Sequence, residues 1–175
     1  MNRIWYCLIM KKKFILLFII ILYFSCNNTP VANRNNNLLE KNYVIIPYTQ
    51  EYNYIYKEGI PVDLTEDDII NIDNILQNII DEHNKKIKIN PYTQGWMSQE
   101  LDLSQYLRQY LPVLNKNGEK EIFVNCVSVN AFSNSINKVW NSNIVITMDG
   151  GNNFFKLKIN LNTRTYSNFI INGRA

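Results

Sequence analysis

Histidine is almost absent from this chain: His83 is the single one among 175 residues. A His-rich metal site is thereby excluded for want of a second histidine, and a histidine-centred triad would have to rest on His83 alone. Glycine is sparse, with six residues, and none falls into G-x-G-x-x-G or P-loop spacing. A glycine cradle for phosphates is therefore missing. Acidic residues cluster only as Glu66-Asp67-Asp68 and Asp81-Glu82. Helix-end electrostatics explains the first group and a solvated face the second. Asp149-Gly150-Gly151-Asn152 lacks the alternating acids and distal Glu of a calcium loop and reads as a turn. No catalytic, cofactor-binding or metal-ligating residue is expected.

What is present is concentrated at the start. Lys11, Lys12 and Lys13 precede the apolar run Phe14 to Phe24, and Ser25-Cys26 follows. A charged n-region, an apolar h-region and a small residue before the cut make a secretory signal. Leu22-Tyr23-Phe24-Ser25-Cys26 resembles the lipobox of bacterial lipoproteins, which implies cleavage before Cys26 and lipid attachment to it. The run is shorter than the roughly 20 apolar residues of a spanning helix. Met10 suits this signal better as a start than Met1. Residues 1–25 are thus expected to be signal peptide and the product to be a lipid-anchored envelope protein. Asn27-Asn28 lacks the Asp that favours inner-membrane retention in some bacteria, which points to the outer membrane.

Processing changes the composition. The chain carries 18 basic and 15 acidic residues, a formal charge of +3. Loss of Arg3, Lys11, Lys12 and Lys13 leaves 14 basic residues against the same 15 acidic ones, a charge of −1. The apparent basicity that would suggest a nucleic-acid partner disappears. Of three cysteines, Cys7 is removed and Cys26 is committed to lipid. Cys126 then has no partner for an intramolecular disulfide, and stability must come from a packed core.

Residues 26–42 form the lipidated cysteine and an Asn-rich tether without apolar periodicity. Its flexible part spans on the order of 20 Å. A single domain is expected over 43–175. Tyr43 to Tyr48 reads as a short strand and Gln50 to Lys57 as a second, with Tyr52, Tyr54 and Tyr56 alternating. Thr65 is a candidate N-cap with Asp68 completing a capping-box-like pair. Ile69, Ile72, Leu76, Ile79, Ile80 and His83 recur at helical spacing, which predicts a helix over about Glu66 to Asn84 with Lys85 and Lys86 at its far end. Pro91, Gly95 and Ser98 break the stretch from Ile87 to Leu103.

The last third reads as antiparallel sheet. Asn117-Gly118 predicts a two-residue type I′ hairpin, pairing Val113 with Ile122, Leu111 with Val124 and Gln109 with Cys126. Asn143 to Met148 is a further candidate strand. Phe155, Leu157, Ile159 and Leu161 alternate with Phe154, Lys156, Lys158 and Asn160, as in a sheet with one buried face. A turn at Asn162-Thr163-Arg164 would pair Leu157 with Phe169 and Phe155 with Ile171. The expected fold is α+β: one long amphipathic helix on an antiparallel sheet of about 4–5 strands, cystatin-like or NTF2-like in outline.

Within that fold His83 reads as a structural or capping residue, and Cys126 as a small buried hydrophobe. Tyrosine is abundant, with 11 residues. Trp96, Tyr106, Arg108 and Tyr110 are candidates for an exposed contact surface toward an envelope protein or a glycan. A second possibility is a ligand carrier or enzyme with a pocket between helix and sheet, into which Arg108, Tyr110 or Asn125 would point. A third is an assembly subunit that uses an open sheet edge.

Two stretches carry a resemblance. One is Tyr106-Leu107-Arg108-Gln109-Tyr110-Leu111-Pro112-Val113, leading through Asn117-Gly118-Glu119-Lys120 to Val124-Asn125-Cys126. The other is Asp149-Gly150-Gly151, leading through Lys156 to Leu161 and Asn172-Gly173-Arg174-Ala175. They resemble a group of small uncharacterised bacterial lipoproteins with a similar terminal sheet and Asn-Gly-x-Ala ending. Phe123 stands where that group suggests tryptophan, and Asn153 where it suggests cysteine or an aromatic. The resemblance implies envelope location and fold, and no site.

Overall fold

A computed structural model describes residues 41–89 and 99–173. They form an α+β fold in which one long helix, α1 (Glu66–Ile89), packs on a six-stranded mixed sheet. The strands are β1 (Tyr43–Ile45), β2 (Ile60–Pro61), β3 (Tyr106–Leu114), β4 (Lys120–Ser128), β5 (Phe154–Asn160) and β6 (Thr165–Ile171). From β3 to β6 the sheet is an antiparallel meander. β1 and β2 share the outer edge of β3, and β1 runs parallel to it, with Tyr43 opposite Arg108 and Ile45 opposite Tyr110. A short second helix, α2 (Asn134–Val139), lies between β4 and β5. Among the described residues no helix is long and apolar enough to cross a membrane.

The helix starts as the capping pattern predicts. The Thr65 hydroxyl accepts from the Asp68 N–H at 3.2 Å, and the Asp68 carboxylate accepts from the Thr65 N–H at 2.9 Å. Lys120 on β4 adds a 2.6 Å ion pair to the same carboxylate, tying the helix start to the sheet. The helix runs five residues beyond the expected Asn84, and Ile87 in the extra turn is buried. Ile72, Leu76, Ile79 and Ile80 face Tyr110, Ile122, Val124, Cys126, Phe155, Leu157 and Ile159, which form one apolar core. The predicted spacing is the one that buries this stripe.

The β3–β4 register differs by one residue from the type I′ reading. Leu111 pairs with Phe123, Gln109 with Asn125 and Arg108 with Cys126. Asn115 is the cause. Its side-chain oxygen accepts from the N–H groups of Asn117 and Glu119, and its carbonyl accepts from the Gly118 N–H at 2.8 Å. This is a three-residue loop in which only Gly118, at φ 75°, takes the left-handed conformation. A one-residue change of register exchanges the face of one strand relative to the other, so Gln109, expected to share a face with Cys126, shares one with Asn125 on the side away from the helix.

At the second hairpin Phe155 pairs with Ile171 as expected, but the expected pair of Leu157 with Phe169 is replaced by a bulge. Asn168 supplies the extra residue at φ 54°, a conformation asparagine tolerates better than most side chains. The predicted strand from Gln50 to Lys57 is instead a 3₁₀ turn, Gln50–Tyr52, followed by further turns. The Tyr56 N–H bonds the Tyr52 carbonyl four residues back, which buries Tyr52 and Tyr56 together and leaves Tyr54 exposed.

The sheet face away from the helix is also covered. Ile46, Tyr48, Tyr52, Tyr56 and Ile144 pack on Leu111 and Val113 to form a second core. The sheet is therefore an inner layer, with a helix on one side and irregular chain on the other.

Candidate functional site

Asn143 to Met148, expected as a strand, pairs with no strand. Side-chain amides hold it instead. Gln109 is fully buried on β3; its Nε2 donates to the carbonyls of Trp140 and Asn143, each at 2.8 Å, and its Oε1 accepts from the Val145 N–H at 2.8 Å. Asn125 on β4 donates to the Val145 carbonyl and to Gln109 Oε1. Asn172 donates to the carbonyl and hydroxyl of Thr147 and to the carbonyl of Asp149. These bonds satisfy backbone groups that a ladder would otherwise need to satisfy.

The pinned segment forms one wall of a cleft of about 410 Å³. Tyr54 and Ile55 contribute to another wall, and β4, β5 and β6 supply the floor through Phe123, Asn125, Lys156, Lys158, Asn168 and Ile170. Strand pairing sets the floor: Asn125, Lys156 and Ile170 lie side by side in one row, and Phe123 and Lys158 in the next. Ile144, Ile146 and Ile170 make much of the remaining lining apolar. Such a volume with a few polar groups on apolar walls lies within the range of small-ligand sites.

The two lysines on the floor differ. Lys158 Nζ donates to the Ile55 carbonyl at 2.7 Å, sits 3.7 Å from the Glu121 carboxylate and lies 4.1 Å over the Tyr56 ring. Its charge is compensated within the fold. Burial, with the Glu121 charge acting in the same direction, pushes the Tyr56 hydroxyl far up, so the ring is neutral beneath that ammonium. Lys156 has no ion-pair or hydrogen-bond partner among the described residues.

Comparison of the chain with protein-family models, curated proteins and solved structures finds no match. The site therefore rests on geometry alone.

Three residues expected on an exposed contact surface are buried. Tyr106, Arg108 and Tyr110 are 5%, 7% and 0% exposed, so they do not present a face to solvent. Tyr110 and Arg108 turn toward the helix: the Tyr110 hydroxyl donates to Asp73 at 2.9 Å and the Arg108 guanidinium lies 3.5 Å from it. Burial pushes the Tyr110 hydroxyl well up. Trp96 lies outside the described residues. The space between helix and sheet is filled by the aliphatic core, and Asn125 projects from the opposite face. The Lys156 cleft therefore lies on the far side of the sheet from the place first expected, while smaller clefts lie along the helix beside Arg108 and beside Tyr166.

Cys126 is fully buried, and burial drives its thiol far up, away from a reactive thiolate. His83 is buried against the Phe169 ring, 5.5 Å between centroids, inside the helix and six residues before its end at Ile89, where it caps nothing. Burial lowers its pKa, a hydrogen bond with the Gln99 backbone opposes that, and the Lys86 charge lowers it further. Neither residue lines the cleft. Sequence reasoning missed Lys156, Lys158 and Asn172 as site residues. The alternation that placed the lysines on one face was visible, but it is also the pattern of a solvated sheet.

Proposed function

We propose that this chain is a lipid-anchored binding module of the bacterial envelope, acting by holding a ligand in the cleft rather than by transforming it. The cleft carries this reading: apolar walls adjoin the Lys156 ammonium, which has no partner among the described residues, and the lining offers lysine, asparagine, threonine and tyrosine as its polar groups. These donors and acceptors orient a guest. The lipobox-like Leu22 to Cys26 and the Asn-rich stretch after it support an anchored and tethered display at the outer membrane. Arg108, Tyr106 and Tyr110 serve this module from inside, as core.

Anchoring is tested by labelled palmitate incorporation, with Cys26→Ala as control. The expected result is incorporation that the substitution abolishes, and incorporation unaffected by it overturns the anchoring. Binding is tested by blocking the cleft wall with Ile146→Glu at an exposed position. Capture of an envelope component that this variant leaves undiminished overturns the cleft as the binding site.

A further inference from the structure

We propose that the cleft takes a slim amphiphile with a single anionic head, the head meeting Lys156 and the apolar body lying along Phe123, Ile144, Ile146 and Ile170. The inference rests on the binding reading above and adds the ligand class.

Charge decides the head. Lys158 is already matched by Glu121, the Ile55 carbonyl and the Tyr56 ring, so Lys156 supplies the net positive charge of the floor. No carboxylate lines the cleft among the described residues. An ammonium beside apolar walls attracts an anion more strongly than one in open water, because the local dielectric is lower. One uncompensated charge fits one head group. The neighbouring Asn125 offers that head no donor: its amide nitrogen is committed to Gln109 and Val145, so contact with the anion falls to Lys156.

Shape decides the body. Ile170 flanks Lys156 across the β5–β6 pairing, and Phe123 flanks Lys158 across β4–β5. Apolar surface thus begins immediately beside the charge. A small hydrophilic anion would leave these walls wet, and a neutral apolar guest would leave the ammonium without a partner. A molecule with both parts satisfies both. Carboxylate and phosphate heads share this chemistry.

The test uses the processed chain, residues 26–175 with Cys26→Ser in place of lipid, with unreactive Cys126 reporting folding in every arm. Octanoate, octyl phosphate and octanol are titrated by calorimetry against this chain, Lys156→Met and Lys156→Arg. Methionine keeps an apolar stem while removing the charge. Octanoate or octyl phosphate should bind about tenfold or more tighter than octanol, a preference lost in Lys156→Met and kept in Lys156→Arg. The tighter of the two anions identifies the head. Equal binding of octanol and both anions, abolished by Ile146→Glu, overturns the anionic class and leaves the cleft standing as a binding site. A preference for anions that survives Lys156→Met overturns the assignment to Lys156. Absence of binding by all three overturns both the class and the cleft.

Discussion

Gln109 reaches from the middle of the sheet to Val145, accepting its backbone N–H at 2.8 Å while donating to two carbonyls of the same segment. One side chain thereby does for Trp140 to Val145 what a neighbouring strand would otherwise do. Gln109→Leu strands one N–H and two carbonyls and takes one acceptor from the Asn125 amide. The expected cost is on the order of 3 kcal/mol, since each unpaired buried group costs about 1–3 kcal/mol and relaxation recovers part. A lower urea midpoint together with faster amide exchange at Val145 checks this, and exchange at the core of α1 should change only with global stability.

The Thr65–Asp68 cap gives a second test with a pH signature. Burial alone would raise the Asp68 carboxyl, but hydrogen bonds from Lys120 and from the Thr65 N–H and hydroxyl, with the Lys120 charge, hold it below the ordinary carboxylate range. A folded pKa below the unfolded value of about 3.9 gives stability that is present above that pH and lost as pH falls through the folded pKa. Urea midpoints measured from about pH 6 downward should therefore fall less for Asp68→Asn than for the unaltered chain. Thr65→Ala should cost about 1 kcal/mol at neutral pH through the lost cap.

His83 titrates in a different window. Its pKa is depressed mainly by burial, so the unfolded chain takes up a proton first as pH falls below about 6.5. Stability is full above that pH and declines as pH drops toward the folded pKa. His83→Leu keeps an apolar contact with Phe169 and removes the titrating group. Its stability should be flatter than that of the unaltered chain between about pH 7.5 and pH 5.5, as denaturation midpoints would show.

Cys126 lies fully buried between Arg108 and Phe155 in the strand pairing. A thiol reagent should label the folded chain only at the rate at which it opens, and immediately in denaturant. Cys126→Ser should destabilise by about 1–3 kcal/mol because the hydroxyl is buried in an apolar setting, while Cys126→Val should cost less. Rapid labelling of the native chain would contradict the burial.

What could be read from sequence divides along distance in the chain. The α1 start was legible because Thr65 and Asp68 are three residues apart and settle each other. The stripe from Ile72 to His83 was legible because helical spacing alone defines it. The β3–β4 register was not, since the decision rests on whether Asn115 or Asn117-Gly118 governs the turn, and both are good turn residues. The 143–148 segment was illegible for a stronger reason. Its composition is that of a strand, but Gln109, more than 30 residues away, satisfies its backbone. The cleft follows from that: Lys156 and Lys158 alternate as they would on an open surface, and only distant chain laid over the face turns the surface into a site.

The parallel pairing of β1 with β3 also favours an order of assembly. Tyr43–Ile45 has nothing to join until Arg108–Tyr110 exists, whereas the β3–β4 and β5–β6 hairpins close loops of a few residues. The two hairpins are thus expected to form before the cover from Ile46 to Tyr56 closes over Leu111 and Val113. A chain halted between those steps would leave Leu111 and Val113 without the Ile46 to Tyr56 cover and the cleft without its Tyr54–Ile55 wall, so that wall and the shielding of the apolar face are completed together.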